Sequence, residues 1–138
     1  MRIAVDFDGT IVEHRYPEIG KEIPFAVATL KQLIREGHLL ILWSVREGEL
    51  LDEAVEWCRA KGIEFYAVNS DYPDEDETLS KKISRKLKVD LFIDDRNVGG
   101  LPDWGVIYEM INSNKTYEQG LREMINAPKP EKKPWWKF

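Results

Sequence analysis

The chain has very few of the residues that build disulfide-rich domains and zinc sites. Its 138 residues include one cysteine and two histidines. The single cysteine, Cys58, excludes an intramolecular disulfide and a cysteine-rich zinc site, and it is consistent with a reducing compartment. His14 has no second histidine or cysteine nearby that would support a zinc site. We expect Cys58 to pack inside a helix.

Long apolar runs and an excess of positive charge are also absent. No stretch approaches the roughly 20 apolar residues that a membrane span requires, and the first predicted strand begins too early to leave room for a signal peptide. The 25 acidic and 20 basic side chains give a formal charge of −5, which disfavours nucleic acid as a partner. We therefore expect a cytoplasmic protein that spans no membrane.

The length fits one domain, which we place at residues 1–127, followed by a tail over residues 128–138 that is rich in proline, lysine and tryptophan. The proline spacing argues against a helix in this tail. We expect an extended segment that buries its tryptophans against the domain. The alternatives are contact with a membrane surface or with nucleic acid, and packing across a dimer interface in a homo-oligomer. Deletion of residues 128–138 should then lower the stability or change the oligomeric state.

Two carboxylates stand two positions apart where a short apolar run ends. Asp6 and Asp8 follow this run and precede Gly9 and Thr10. In an extended segment, side chains at positions i and i+2 point to the same face, so both acids can converge on one ligand. Such close negative charges favour a hard divalent cation between them, most plausibly Mg²⁺. The competing interpretation is a simple polar turn after a strand.

Apolar runs alternate with segments of helical periodicity, which predicts an α/β domain with a mostly parallel sheet flanked by helices. We expect five strands, over residues 2–7, 39–43, 64–68, 89–93 and 106–108. We expect four helices. The first begins near residue 24, and the other three cover residues 47–61, 79–87 and 116–125.

Polar side chains follow three of these predicted strands, at the edge of a parallel sheet where ligands bind. They are Asp6 and Asp8 after the first strand, Ser44 after the second, and Asp94 and Asp95 after the fourth. Ser44 also precedes a predicted helix, so its hydroxyl and the amide of Val45 are suited to a phosphate. The alternative is that Ser44 only caps this helix.

In this order, the motifs resemble those of the haloacid dehalogenase-like (HAD) phosphohydrolases. The segment from Asp6 to Thr10 resembles the first motif, Ser44 the second, and Asp94-Asp95 the acidic fourth. Lys86 has the spacing before the fourth strand that resembles the usual lysine of this family, and Lys82 is the second candidate. The segments 43–48 and 94–97 resemble a small bacterial branch of these hydrolases.

The resemblance implies a three-layer, Rossmann-like HAD fold with a five-stranded sheet of order 3-2-1-4-5 and no cap domain. It also implies a Mg²⁺-dependent phosphomonoester phosphatase that works through an aspartyl-phosphate. Asp6 would be the nucleophile and Asp8 the general acid and base. The metal would be held by Asp6, the backbone carbonyl of Asp8, and Asp95. The remaining implied roles are orientation of the site by Asp94 and Thr10, and binding of the phosphoryl oxygens by Ser44, Val45 and Lys86.

The substrate class is less defined: a phosphorylated small molecule, or a phosphoryl group exposed on a larger substrate. The side chains that we expect near the leaving group are His14, Arg15, Tyr16, Arg46 and Arg96. For each of them, an ordinary surface position is the alternative. A noncatalytic phosphate- or metal-binding protein, a scaffold, and a phosphotransferase with the same site are alternatives. A receiver-type signalling module would need an aspartate after the third strand, where this chain has Asn69 and Ser70.

Overall fold

Four strands and three helices are found in the computed structural model, which describes residues 1–73, 86–113 and the separate positions 122, 125 and 126. In chain order they are β1 (Arg2–Val5), α1 (Ala26–Arg35), β2 (Leu39–Leu42), α2 (Gly48–Ala60), β3 (Ala67–Val68), β4 (Leu91–Ile93) and α3 (Trp104–Ser113). None of these helices has the length and apolar character that would let it cross a membrane.

The strands form one parallel sheet with the order β3-β2-β1-β4. Val5, the last residue of β1, is level with Leu42 of β2 and with Ile93 of β4. The residues that directly follow these three strands therefore lie along one edge of the sheet. The predicted α/β class, the parallel pairing and the order of the first four strands are confirmed.

The fifth strand that we predicted over residues 106–108 is wrong, because these residues belong to α3. Trp104, Ile107 and Ile111 are buried, whereas Val106 is exposed. This spacing of three and four residues is helical, and the short apolar run concealed it. The predicted helices over residues 79–87 and 116–125, and the tail over residues 128–138, lie wholly or largely outside the described residues.

The two faces of the sheet differ in what covers them. Along β1, Ile3 and Val5 join the larger core cluster, which receives buried side chains from all three described helices. Ala4 points to the other face and joins a smaller cluster with Ile41, Ala67 and Leu87. Since the described helices all contribute to the first face, the three-layer arrangement stays a prediction.

Cys58 is fully buried in α2, as expected. Burial raises the pKa of its thiol to about 12. The side chain therefore acts as a small apolar group of the core.

A short hairpin-like flap, residues 13–21, connects the end of β1 to the region before α1. The amide of Glu13 donates a 2.7 Å hydrogen bond to the carbonyl of Lys21, and Val12 pairs with Glu22 in an antiparallel bridge. Next to this pair, on the side away from the tip of the flap, the amide of Ile23 donates a 2.9 Å hydrogen bond to the carbonyl of Ile11. The base of the flap is thus fixed by backbone hydrogen bonds, while His14, Arg15 and Tyr16 on its outer part are exposed.

Candidate functional site

Three carboxylates meet at the carboxyl edge of the sheet. Asp6 follows β1 directly, and its amide donates a 3.0 Å hydrogen bond to the carbonyl of Ile93 at the end of β4. Asp94 and Asp95 directly follow that neighbouring strand. Each of the three aspartates offers an oxygen within 4.8 Å of the others. The parallel register thus brings together two acidic motifs that are far apart in the sequence.

The hydroxyl of Thr10 joins the two sides of this cluster. It donates a 3.0 Å hydrogen bond to Oδ2 of Asp6 and accepts one of 3.1 Å from the amide of Asp95. Thr10 is fully buried, and its carbonyl accepts a 3.1 Å hydrogen bond from Nε1 of Trp104 on α3. The predicted orienting role of Thr10 therefore has a geometric basis in this structure.

Gly9 allows the turn to pass close to the cluster. Its φ of 85° lies in the left-handed region, and a Cβ at this position would lie 2.7 Å from Cγ of Asp95. That separation is well below the roughly 3.5–4.0 Å of a favourable carbon–carbon contact. A side chain at position 9 would therefore displace Asp95.

Burial and mutual repulsion shape the electrostatics of the cluster. Desolvation, a hydrogen bond with Asp95 and the charge of Asp94 together raise the pKa of Asp6 to about 7. Burial also raises the pKa of Asp94. Within residues 1–73 and 86–113, no lysine or arginine forms an ion pair with these three aspartates. Their oxygens could hold a hard divalent cation such as Mg²⁺, which would supply the missing positive charge.

The side chain of Asp8 is not part of this cluster and binds Arg46 instead. Nε and Nη2 of Arg46 donate hydrogen bonds of 2.7 and 2.8 Å to Oδ2 and Oδ1 of Asp8. Our prediction that Asp6 and Asp8 point toward one ligand assumed a strand that continues to residue 7. Since β1 ends at Val5, the alternation of side chains does not extend to Asp8. A metal contact through the backbone carbonyl of Asp8 stays a prediction.

Arg46 is fully buried and uses every N–H of its guanidinium. In addition to the two hydrogen bonds with Asp8, Nη2 donates to the carbonyl of Glu18 at 3.0 Å. Nη1 donates to the carbonyls of Pro17 and Leu50 at 3.1 and 3.4 Å. The hydrogen bonds with Asp8 raise the pKa of the guanidinium. The predicted contact between Arg46 and the leaving group is therefore corrected: this side chain has no donor left for a substrate.

Ser44 lies at the expected edge of the sheet, but its surroundings differ from those we predicted. Helix α2 begins at Gly48, so Ser44 does not cap it. The hydroxyl of Ser44 accepts a 3.1 Å hydrogen bond from the amide of Arg46, and its own amide donates one of 2.8 Å to Oδ1 of Asn69. The side chain of Val45 is exposed. Phosphate binding by Ser44 and Val45 stays a prediction.

Lys86 is exposed, with its Nζ 5.5 Å from the ring centroid of Phe92. Phe92 lies on β4 two residues before Asp94, so the lysine reaches the strand that carries the acidic pair. Within the described part of the chain, Lys86 forms no ion pair. Lys82 lies outside the described residues, and the choice between the two lysines stays open.

The remaining predicted substrate contacts are on the surface. Arg96 is exposed, and its backbone amide donates a 3.1 Å hydrogen bond to Oδ1 of Asp94. His14, Arg15 and Tyr16 are exposed on the flap, and Tyr16 also packs on Arg46. Their placement leaves all four side chains accessible to a ligand.

Sequence reasoning missed two residues that hold the site together. Asn69 has a φ of 52°, a backbone conformation that asparagine tolerates better than most residues. Its Oδ1 accepts the hydrogen bond from the amide of Ser44. Its position directly after the third strand, at the edge of the sheet where ligands bind, could have identified it as a site residue. Trp104 supports Thr10 from 94 positions away, and no local pattern announces that contact.

Comparison with known proteins gives one informative result. No family model matches the chain, and no curated protein does. A solved structure titled as that of a conserved protein from Bacteroides thetaiotaomicron is 74% identical, with a TM-score of 0.78. The match covers 86% of this chain and 94% of the other. The chain belongs to the family of this conserved Bacteroides protein. This similarity establishes kinship and fold and assigns no activity.

Proposed function

We propose that the chain is a Mg²⁺-dependent phosphomonoester phosphatase of the HAD type that works through an aspartyl-phosphate. The observation that carries this proposal is the convergence of Asp6, Asp94 and Asp95 at the carboxyl edge of a parallel sheet. The order of the motifs along the chain gives independent support. The proposal includes a cytoplasmic location and a substrate that is either a phosphorylated small molecule or a phosphoryl group exposed on a larger one.

In the first step, an oxygen of Asp6 attacks the phosphorus, and the bond from phosphorus to the leaving oxygen breaks. Asp8 gives its proton to that leaving oxygen. In the second step, a water molecule attacks the phosphorus of the aspartyl-phosphate and passes a proton to Asp8, which releases phosphate and free Asp6. Ser44, Val45 and Lys86 would bind the nonbridging oxygens.

A cation held by Asp6, Asp95 and the backbone carbonyl of Asp8 would neutralise charge on the phosphoryl group. Asp6 must be ionised to attack, and burial, together with Asp95 and Asp94, opposes that charge by raising the pKa of Asp6 to about 7. Asp94 and Thr10 keep the carboxylates in place. The connection between β1 and α1, residues 6–25, holds only the short flap, which supports a site without a cap domain.

The direct test is the release of p-nitrophenol from p-nitrophenyl phosphate, with and without Mg²⁺. We compare the parent protein with Asp6→Asn, and we use Asp52→Asn as the matched control because Asp52 is exposed on α2. We expect metal-dependent turnover that Asp6→Asn abolishes and Asp52→Asn retains. Equal activity in the Asp6→Asn protein would contradict the assigned nucleophile.

The same assay distinguishes a phosphatase from two alternatives, a noncatalytic binding protein and a phosphotransferase. A folded parent that binds Mg²⁺ and turns over no phosphate ester would favour a binding protein. The bidentate engagement of Asp8 by Arg46 is the observation that supports this alternative, since it occupies the proposed acid. Formation of a new phosphate ester in the presence of an acceptor alcohol would favour a phosphotransferase.

A further inference from the structure

The environment of Arg46 is more elaborate than a counterion for Asp8 requires. Two N–H groups suffice for the bidentate pair, yet the other three also have acceptors, in the flap and in α2. The rings of Phe7 and Tyr16 lie on the guanidinium, with centroids 5.4 and 5.2 Å from its Cζ. Three parts of the chain, residues 7–8, the flap and α2, therefore fix the orientation of one cation.

The flap contributes three of these contacts. The carbonyls of Pro17 and Glu18 accept from Arg46, and the ring of Tyr16 packs on it. Arg46 is therefore the described side chain that joins the flap to the carboxylate of Asp8. A movement of the flap therefore changes the hydrogen bonds of Arg46. A displacement of Arg46 in turn changes the orientation of the Asp8 carboxylate, because Arg46 holds both of its oxygens.

We propose that Arg46 is a positioning residue that couples the flap to Asp8, so that proton transfer by Asp8 depends on how the flap is held. This inference rests on the proposed phosphatase function. When the bond to the leaving oxygen breaks, the proton of Asp8 moves to that oxygen and a negative charge remains on Asp8. Arg46 then stabilises this charge and fixes the orientation of the carboxyl group. It touches neither phosphorus nor the leaving group itself.

The dependence on the leaving group distinguishes positioning from general structural support. An alkoxide leaving group needs the proton of Asp8, whereas 2,4-dinitrophenolate is stable enough to leave without it. The value of kcat/KM reports the steps up to the departure of the leaving group. We expect Arg46→Lys and Arg46→Met to lower kcat/KM for an alkyl phosphate about tenfold more than for 2,4-dinitrophenyl phosphate. An equal loss for both substrates in folded variants, or no loss, would overturn the proposal.

A second variant covers the case in which the buried arginine cannot be replaced without unfolding. Tyr16→Ala removes the ring on the outer side of Arg46, and its side chain is about half exposed. Tyr72→Ala is the matched control, since Tyr72 is similarly exposed and packs on Arg2 at the start of β1. We expect the selective loss in Tyr16→Ala and an unchanged ratio in Tyr72→Ala. An unchanged ratio in both would overturn the proposal.

Hydrogen exchange tests the coupling without any substrate. We expect the amides of residues 13–21 to exchange faster in Asp8→Asn and in Tyr16→Ala than in the parent. Asp6→Asn is the matched control, because in the part of the chain that the structure describes no hydrogen bond joins Asp6 to Arg46. Unchanged flap exchange in both test variants would overturn the coupling. If the parent hydrolyses no phosphate ester, the proposed function fails, while this measurement still decides whether the flap and Asp8 are joined.

Discussion

The indole Nε1 of Trp104 donates a 3.1 Å hydrogen bond to the carbonyl of Thr10, and both residues are almost completely buried. Helix α3 thereby supports the turn that carries Gly9 and Thr10. Since Thr10 contacts both Asp6 and Asp95, the packing of a distant helix bears on the geometry of the acidic cluster.

We predict that Trp104→Phe lowers the free energy of unfolding by at least about 1–3 kcal/mol, because it leaves the buried carbonyl of Thr10 without a donor. The smaller ring adds a packing loss. Urea unfolding at equilibrium measures the difference. Tyr108→Phe is the control on the same helix: it removes an exposed hydroxyl that contacts Glu36 and should cost clearly less. Equal costs for both variants would contradict this account.

We predict that Gly9→Ala weakens Mg²⁺ binding at least tenfold, since the added methyl group would displace Asp95. Gly99→Ala is the matched control, because Gly99 has a similar φ of 95° and open space around its Cβ position. Both variants should lose about 1–2 kcal/mol of stability from the left-handed backbone. Calorimetric titration with Mg²⁺ separates them, and equal Mg²⁺ affinities would show that the approach of Asp95 does not matter.

The raised pKa of Asp6 predicts a pH dependence of stability in the absence of divalent cations. Between its ordinary pKa of 3.8 and its value of about 7, Asp6 is protonated in the folded chain and ionised in the unfolded chain. The unfolded state thus binds fewer protons, and the contribution of Asp6 to stability falls as the pH rises through this window. Thermal unfolding at several pH values, with EDTA present, should show a smaller decline for Asp6→Asn than for the parent. A parallel decline in both proteins would assign the effect to other groups.

Substitutions at Asn69 separate its backbone role from its side-chain role. Asn69→Gly keeps access to the positive φ and loses the hydrogen bond to the amide of Ser44, whereas Asn69→Ala loses both. We predict that the alanine variant is less stable than the glycine variant by about 1 kcal/mol. Chemical denaturation measures both. A glycine variant that is no more stable than the alanine variant would contradict the importance of the left-handed conformation.

The features that depend on local sequence pattern, the strands and the residues that follow them, could be predicted from the sequence. Apolar runs located β1, β2 and β4 to within two residues, and the rule that ligands bind at the carboxyl edge of a parallel sheet brought Asp6 together with Asp94 and Asp95. The prediction from pattern failed where a short apolar run fits both a strand and a helix, as in residues 106–108, which lie on α3.

The pairing of Asp8 with Arg46 lay beyond local reasoning for a different reason. The two residues are 38 positions apart, and the burial of an arginine depends on acceptors supplied by the flap and α2. Nothing in the pattern around Arg46 distinguishes a buried guanidinium from a surface one. Such contacts follow from tertiary packing, which a single sequence does not display.

The carboxylates of Asp6 and Asp8 differ in whether the described chain supplies a counterion. Asp8 is neutralised by an arginine of its own chain. Asp6 has no such partner among residues 1–73 and 86–113, and it faces two more acids. The ionic composition of the medium should therefore act on one aspartate of this pair and leave the other almost untouched. With Mg²⁺ bound as proposed, a magnesium salt would place a counterion beside Asp6 and a chelator would remove it, while Asp8 keeps the same neighbour in both.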